Sequence, residues 1–347
     1  MQVLVWDGPK LLRAAEAADP VAGPGEVVVR ARAAGVCGSE VEGYLGRQAN
    51  RTPPLIMGHE LAGVVVAAGE SSDPSLPGQT VAVNPIVSCR SCRYCRTGAR
   101  NLCRGKELIG IARPGGFAEL VAVPAANLTR LPAGTDARLG AFVEPMANGV
   151  HAARLALSGR EADGPVRAVV IGGGAIGLCV LQALRMSMAG TVDVLEPSPY
   201  RREMAARFGA AAVHAAADDA RQALGAGQGP RRDDTAGADV VVDAVGSQQA
   251  RQLAVDLARP HGRVVLIGMH DDETTLAFRP VVRNEIVLAG SYAYTDDDFA
   301  RAAQWLVTGQ VSPGDIEPIR PLADGPEVFA AIAAGGLRPV RAFLGNG

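Results

Sequence analysis

The chain has 347 residues, of which 34 are basic and 36 acidic, for a formal net charge of −2. A length beyond the roughly 100–200 residues of one domain predicts two domains, or one large split domain. The near-neutral charge argues against nucleic acid or an anionic membrane as a partner, and no apolar run reaches the ~18 residues of a membrane span. We therefore expect a cytoplasmic protein that acts on a small molecule.

The first third of the chain is predicted to be mostly β-structure. Its Val-rich runs at 24–36 and 60–69 are broken by Gly and Pro, which is typical of short strands in a barrel or sandwich. From about Val166, short apolar runs alternate with helical patterns, which predicts a parallel sheet with helices on both faces. The helical patterns lie near 175–188, 199–208 and 247–258.

Further elements are predicted towards the C-terminus. Residues 225–237 carry Gly, Pro and mixed charges, which indicates an exposed loop. An edge strand is expected to end near Gly290, and Thr295 is placed to cap the amphipathic helix that follows.

Four cysteines are close together in the sequence, with the spacing C-x2-C-x2-C-x7-C. Four thiolates in one short loop can close a tetrahedral shell around zinc, which makes a structural site rather than a catalytic one. Free surface thiols, an iron–sulfur cluster or a nucleic-acid zinc module are the alternatives, although the near-neutral charge of the whole chain argues against the last of these. The four residues are Cys89, Cys92, Cys95 and Cys103.

A glycine-rich segment, G-x-G-x-x-G, follows the predicted strand RAVVI and opens an apolar helix. The glycines permit a tight turn, a close approach of the backbone to a pyrophosphate, and close packing of helix on strand. A Rossmann-like domain for another nucleotide or a methyl donor is the alternative. The residues predicted to contact the cofactor are Gly172, Gly174, Ala175, Ile176 and Gly177.

Glu196 ends the next predicted strand, about 20 residues beyond the glycines, where a carboxylate accepts from both ribose hydroxyls of an adenosine. Its charge would repel the 2′-phosphate of NADP and therefore favours NAD. Arg201 and Arg202 lie one helical turn further on and could instead embrace that phosphate, but Arg201 is more simply placed over the adenine or on the surface.

A second set of metal-ligand residue types is dispersed along the chain: Cys37, His59, Glu60 and Glu144. Thiolate, imidazole and carboxylate are the ligands of catalytic zinc, which takes three protein ligands and an exchangeable fourth position. Taken singly, each has an ordinary explanation as a buried thiol, a core histidine or a solvated charge. Sequence alone does not show that they converge.

The order and spacing of several segments resemble the medium-chain zinc alcohol dehydrogenase family over essentially the whole chain. Its EP-containing segment and HE pair are similar to the polyol branch, which includes sorbitol, galactitol-phosphate, threonine and butanediol dehydrogenases. The segments are VCGSE, PPLIMGHELAGVVVAAG, the four-cysteine loop, GGFAE, EPMANGVHA, GGGAIG and GSYAYTDDDF.

This resemblance implies a chaperonin-10-like β-barrel catalytic domain with a Rossmann domain inserted into it. We expect the catalytic domain at 1–150, with the four-cysteine loop, the Rossmann domain at 151–291, and a return to the catalytic domain at 292–347. Relatives in this family are homo-oligomers, so a homodimer or homotetramer is expected.

The resemblance also implies roles for single residues. Cys37, His59 and Glu144 match ligands of the catalytic zinc, Glu60 matches a carboxylate that ligates the metal or stands just behind it, and Ser39 matches the hydroxyl that relays the substrate proton. The four cysteines match the structural zinc set, so two zinc ions per chain are expected. The nicotinamide edge is expected along Val245, Met269 and Tyr292, with Glu196 and Arg201 near the adenosine.

Three positions depart from the family pattern. Glu40 replaces the Asp that usually stands behind the histidine ligand, and Glu42 replaces a histidine that passes the proton to solvent in many relatives. Ala293 stands where sorbitol dehydrogenases place a substrate-binding arginine, which argues against sorbitol.

The predicted activity is hydride transfer between a secondary alcohol or polyol, or its ketone, and NAD. A zinc-free NAD(P)-dependent reductase of the same fold is the alternative. Tyr44, Phe117, Tyr292 and Tyr294 are the predicted pocket residues.

Overall fold

The computed structural model describes residues 1–159, 164–188, 190–225, 236–335 and 341–345. The chain forms two compact units, the first made of Met1–Glu144 and Thr295–Gly347 and the second of Pro145–Tyr294. The domain limits expected from the sequence, 150/151 and 291/292, stay a prediction.

From its start to the end of β10 at Arg130, the chain is mostly short strands, as predicted for its first third. The strands are β1 (Gln2–Gly8), β2 (Leu11–Glu16), β3 (Glu26–Gly35), β4 (Leu55–Ile56), β5 (Glu60–Ala68), β6 (Thr80–Val83), β7 (Ile86–Val87), β8 (Glu107–Leu108), β9 (Leu120–Pro124) and β10 (Leu128–Arg130). The helices are α1 (Gly38–Tyr44), α2 (Arg93–Arg96) and α3 (Ala137–Leu157), with 3-10 turns at Arg100–Leu102 and Ala125–Asn127.

The second unit alternates strands and helices. Its elements are β11 (Val166–Ile171), α4 (Ala175–Ser187), β12 (Gly190–Leu195), α5 (Pro199–Arg207), β13 (Ala212–His214), α6 (Ala217–Leu224), β14 (Ala238–Asp243), α7 (Gln248–Leu257), β15 (Ala258–Leu266), α8 (Phe278–Arg283) and β16 (Val287–Gly290). The helices predicted near 175–188, 199–208 and 247–258 are thereby confirmed as α4, α5 and α7.

The strands of the second unit form one parallel sheet in the order β13-β12-β11-β14-β15-β16. Counted along the unit, this is 3-2-1-4-5-6, the order of dinucleotide-binding sheets. Every residue of the central strand β14 is buried, as expected for a parallel strand covered on both faces. The parallel sheet predicted from the alternating pattern is confirmed, with β16 at its edge.

The chain returns to the first unit through α9 (Asp296–Val307), a 3-10 turn at Leu322–Asp324, α10 (Gly325–Ala333) and β17 (Phe343–Leu344). The predicted cap of α9 is confirmed, because the Thr295 hydroxyl accepts from the Asp298 amide at 3.2 Å. In return, the Asp298 carboxylate accepts from the Thr295 amide at 3.0 Å, so the two residues form a capping box.

An antiparallel sheet organises the first unit, in the order β10-β6-β5-β3-β17, and β9 pairs with the first half of β3. Most of the loop predicted at 225–237, namely 226–235, lies outside the described residues. Within the described part of the chain, no helix has both the length and the apolar character that crossing a bilayer requires.

Candidate active site

The pairing of β3 with β5 brings the dispersed ligand residues together. Gly35, near the end of β3, lies opposite Glu60, the first residue of β5. Because Cys37 follows Gly35 by two residues and His59 precedes Glu60, both side chains reach the same end of this ladder. A Cβ atom at Gly35 would lie 2.1 Å from Glu60 Oε2, so only glycine fits opposite this carboxylate.

The ligand atoms of Cys37, His59 and Glu60 lie within 4.8 Å of one another, close enough to share one metal ion. Glu144, in α3, is not part of this group. Its carboxylate is nevertheless near enough for its charge to contribute to the raised pKa of Glu60. The structure thus assembles three of the four predicted catalytic-zinc residues and leaves the role of Glu144 a prediction.

Glu40 is fully buried behind this cluster, and its carboxylate is hydrogen-bonded both to His59 and to the backbone of Cys37. Its Oε1 accepts from His59 Nδ1 at 2.8 Å and from the amides of Gly58 and His59 at 2.8 and 3.0 Å. Its Oε2 accepts from the Cys37 amide at 3.0 Å. A neutral imidazole that donates from Nδ1 presents Nε2 as its metal ligand. The Glu that replaces the usual Asp therefore still orients His59.

Glu60 has features of a carboxylate that faces a cation. Burial raises its pKa well above the usual range, and the nearby Arg341 charge only partly opposes this. Arg341 Nη2 lies 3.1 Å from Glu60 Oε1 as an ion pair, but neither Glu60 oxygen accepts a well-formed hydrogen bond from a described residue. Because a buried carboxylate needs compensation, this one fits a metal ion at the neighbouring thiol and imidazole.

Cys37 and His59 form a strongly polar pair. Burial alone would raise the pKa of the Cys37 thiol, but the charges of His59 and Arg341 lower it to about 6. Burial would lower the pKa of His59, yet Glu40 and Cys37 together hold it well above its usual value. These shifts favour a thiolate beside an imidazolium when no metal is bound, and a zinc ion that takes both ligands would displace the imidazole proton.

The predicted relay residue Ser39 lies in the first turn of α1, half-buried beside Arg51. Arg51 Nη2 donates to Ser39 Oγ at 3.4 Å. Sequence reasoning missed both Arg51 and Arg341, because their contacts with Ser39 and Glu60 depend on the folded chain and not on a sequence pattern.

The four-cysteine loop forms a second, closed constellation. The Sγ–Sγ distances are 3.5 Å for Cys92–Cys95 and for Cys89–Cys103, and 3.9 Å for Cys89–Cys95. Tetrahedral zinc with Zn–S bonds of about 2.3 Å places its sulfurs about 3.8 Å apart. The four thiols therefore fit one structural zinc ion.

The glycine-rich loop has the geometry that phosphate binding needs. Gly172 has φ +98°, and a Cβ at Gly177 would lie 1.8 Å from the Gly172 carbonyl oxygen. At Gly174, by contrast, an added Cβ would meet nothing within 4 Å. The start of α4 at Ala175 is thus open on the side of Gly174, where a pyrophosphate can approach the helix N-terminus.

Glu196 is tied to this loop. Its carboxylate accepts from the Gly173 amide and from the Ser198 amide, each at 2.8 Å, and it is buried. Arg201 Nη1 lies 3.9 Å from Glu196 Oε2, so the two charges offset each other. Arg202 instead donates to the carbonyls of Glu196 and Pro197.

Three apolar side chains stand exposed just beyond the carboxyl ends of β14, β15 and β16, namely Val245, Met269 and Tyr292. Ligands of parallel sheets bind at this edge, which suits their predicted role along the nicotinamide. Of the other suggested pocket residues, Tyr44 and Phe117 are buried and pack against Phe329, and Tyr294 is also buried.

Comparison with known families and proteins agrees with this arrangement. The family described as "Alcohol dehydrogenase GroES-like domain" matches residues 23–133, and the family described as "Zinc-binding dehydrogenase" matches residues 175–308.

The chain is 33% identical to the L-galactonate-5-dehydrogenase of Escherichia coli K12 over 315 residues, which cover 90% of this chain and 89% of that protein. It is 30% identical to the galactitol 1-phosphate 5-dehydrogenase of the same organism, over 84% of this chain and 83% of that protein. A crystal structure described as a zinc-binding dehydrogenase of Sinorhizobium meliloti 1021 bound to NADP superposes with a TM-score of 0.88, at 28% identity and 99% coverage of both chains.

The contacts of Glu40 lead to a first prediction. In Glu40→Gln, one acceptor oxygen becomes an NH2 group that faces an N–H donor, so either His59 or Cys37 loses its anchor. We expect zinc affinity or turnover to fall by about 10- to 100-fold, as for other outer partners of metal ligands. Zinc content by atomic emission and turnover measure this. Glu42→Gln, on the same helix but about half exposed, is the matched control for zinc content; wild-type zinc content and turnover in Glu40→Gln would contradict the role of Glu40.

Proposed function

Because the chain belongs to the medium-chain zinc-binding alcohol dehydrogenase family, we propose that it transfers a hydride between a secondary alcohol or polyol, or the matching ketone, and NAD. The observation that carries this proposal is the convergence of Cys37, His59 and Glu60 within 4.8 Å, the ligand set of a catalytic zinc. The zinc-free alternative is not favoured, since the family is zinc-binding and the cluster fits a metal.

In the proposed reaction, the alcohol carbon loses a hydride and its oxygen loses a proton, and the ketone, NADH and a proton are formed. NAD supplies the hydride acceptor when it is bound, and zinc supplies a Lewis acid that lowers the pKa of an alcohol. Cys37 and His59 would hold the metal together with Glu60 or Glu144. Ser39 would accept the hydroxyl proton of the substrate, and Glu40 would keep His59 oriented.

The relatives support a polyhydroxylated substrate. Two of them are named for acting at the 5-position of L-galactonate and of galactitol 1-phosphate, which are chains of hydroxylated carbons. We propose that this protein acts on a secondary hydroxyl of such a carbon chain.

We also propose a cytoplasmic location, as the sequence predicted.

We propose that NAD is preferred over NADP because the Glu196 carboxylate lies beside the glycine-rich loop. The side chain of Arg201 in α5 is 57% exposed and its Nη1 lies 3.9 Å from this carboxylate, so solvent and Glu196 both weaken its attraction for a 2′-phosphate.

We propose a homo-oligomer whose chains contact one another through the edge strand β16 of the second unit. The edge strand β16 has one side without a partner strand in the described chain, and Phe278, Val282 and Val287 are exposed apolar residues on or near it. An exposed apolar edge of this kind is normally covered by another chain. We expect Val282→Asp to lower the mass found by light scattering, whereas Leu11→Asp, at another exposed apolar site on β2, leaves it unchanged. A monomeric wild-type protein would contradict the assembly.

The role of Glu196 predicts a change in cofactor preference. Both Glu196→Gln and Glu196→Ala remove the charge, so each should reduce the NAD-over-NADP ratio of kcat/KM by on the order of tenfold or more. The alanine variant should also bind both cofactors more weakly, because the Gly173 amide loses its acceptor. Equal or better turnover with NADP in the unmutated protein would exclude the proposed preference.

The metal cluster gives the decisive test of function. Cys37→Ser and His59→Ala should each abolish alcohol-dependent reduction of NAD, because each removes a ligand of the Lewis acid. NAD affinity should be kept, since the glycine-rich loop and Glu196 lie in the second unit. Zinc content should fall from two ions per chain to one, the ion in the four-cysteine loop. Cys179→Ser, outside both clusters, is the control; full turnover with a single zinc in Cys37→Ser would overturn the mechanism.

A further inference from the structure

Arg51 is a buried cation whose guanidinium is held at three points. Its Nε donates to Gln48 Oε1 at 3.2 Å, its Nη1 to the Gly110 carbonyl at 3.1 Å, and its Nη2 to Ser39 Oγ at 3.4 Å. Only 5% of the residue is exposed. A guanidinium fixed at its other two nitrogens has little freedom to leave Ser39.

The chain makes room for this arginine within α1. A Cβ atom at Gly43 would lie 2.5 Å from Arg51 Cδ and 2.6 Å from Nε, so any larger residue would push the guanidinium away. Glycine in a helix is less favourable than alanine, because it gives up more backbone freedom on folding. The helix that carries Ser39 thus accepts an unfavourable residue at the point where Arg51 passes it.

The hydrogen bond between Arg51 and Ser39 can have only one direction. A guanidinium has five N–H donors and no acceptor, so Ser39 Oγ must accept from Arg51 and cannot donate to it. A hydroxyl oxygen has two lone pairs and one proton. One lone pair is taken by Arg51, the second remains for a substrate hydroxyl, and the Ser39 proton has to point to a third partner.

We propose that Arg51 is a positioning residue that sets the direction of the proton relay through Ser39. This inference depends on the proposed function, in which Ser39 accepts the substrate proton. Arg51 holds Oγ so that it accepts the proton of the substrate hydroxyl while its own proton passes to solvent water, which the half-buried Ser39 can reach, rather than towards the guanidinium. Arg51 is thus the described side chain that contacts Ser39 Oγ. Glu42, which replaces the proton-passing histidine of many relatives, pairs instead with Arg47 at the surface.

Arg51 also faces the charges of Glu40 and Cys37, so it could act on the metal cluster instead of on Ser39. A double-mutant cycle separates the two routes, because an effect transmitted through Ser39 vanishes once Ser39 is removed. The cycle uses the zinc-loaded enzyme with Arg51→Gln, Ser39→Ala and the double variant, with turnover measured on whichever alcohol the wild-type protein oxidises.

We expect Arg51→Gln to lower kcat about 10-fold with KM within about 2-fold, and to raise the solvent deuterium isotope effect on kcat. In the Ser39→Ala background the same change should alter kcat by less than about 2-fold. Arg51→Lys should recover part of the loss, because an ammonium can still donate to Oγ. Gly43→Ala keeps the charge but displaces it, and should show the same dependence on Ser39 if Arg51→Gln does not fold.

Arg47→Gln is the matched control on the same segment and should leave kcat and the isotope effect unchanged. Equal losses in the wild-type and Ser39→Ala backgrounds, or a loss that follows zinc content, would overturn the relay role of Arg51 while leaving the dehydrogenase intact. A wild-type protein that reduces no NAD with any alcohol would refute the proposed function, and the relay with it.

Discussion

The arrangement of the proposed zinc ligands Cys37 and His59 depends on the hydrogen bonds that the buried Glu40 carboxylate accepts. One oxygen receives the His59 ring and the backbone at Gly58 and His59, and the other receives the Cys37 amide. A buried carboxylate is costly unless it is paired and hydrogen-bonded, and both conditions are met here by groups that belong to the site. The same bonds that stabilise Glu40 therefore set the distance between the thiol and the imidazole.

Acidic and basic groups surround the cluster before any metal binds. Cys37, Glu40, Glu60 and Glu144 supply the acidic groups, and His59, Arg51 and Arg341 supply the basic ones. A zinc ion that takes the His59 imidazole would displace its proton, and the positive charge of zinc would favour the ionised form of Glu60, whose pKa is raised. Metal loading is consequently expected to strengthen with rising pH.

Sequence reasoning succeeded where the signal was local. The cysteine spacing and the glycine pattern each specify a site within about 15 neighbouring residues, and the helix cap at Thr295 follows from residues three positions apart. It failed where the contact depends on packing. Arg51 contacts Ser39 only because Gly43 leaves space, and α3, which carries Glu144, was not predicted at all.

Whether Glu40 could replace Asp was also beyond the sequence. The answer depends on where α1 places its carboxylate relative to Gly58, and that is a property of the folded sheet rather than of the motif.

The C-terminal segment from Thr295 belongs to the first unit, which is therefore made of two separate stretches of the chain. β17 pairs with the end of β3, which brings Arg341 to the buried Glu60. At the start of α9, the Asp296 carboxylate accepts from Asn84 and from Arg100 of the four-cysteine loop. Without this tail, Glu60 would be a buried charge without its counterion, a loss of about 3–5 kcal/mol when one partner of such a pair is removed. The C-terminal segment therefore supplies a counterion for the buried Glu60, although Cys37, His59 and Glu60 themselves all lie in the first part of the chain.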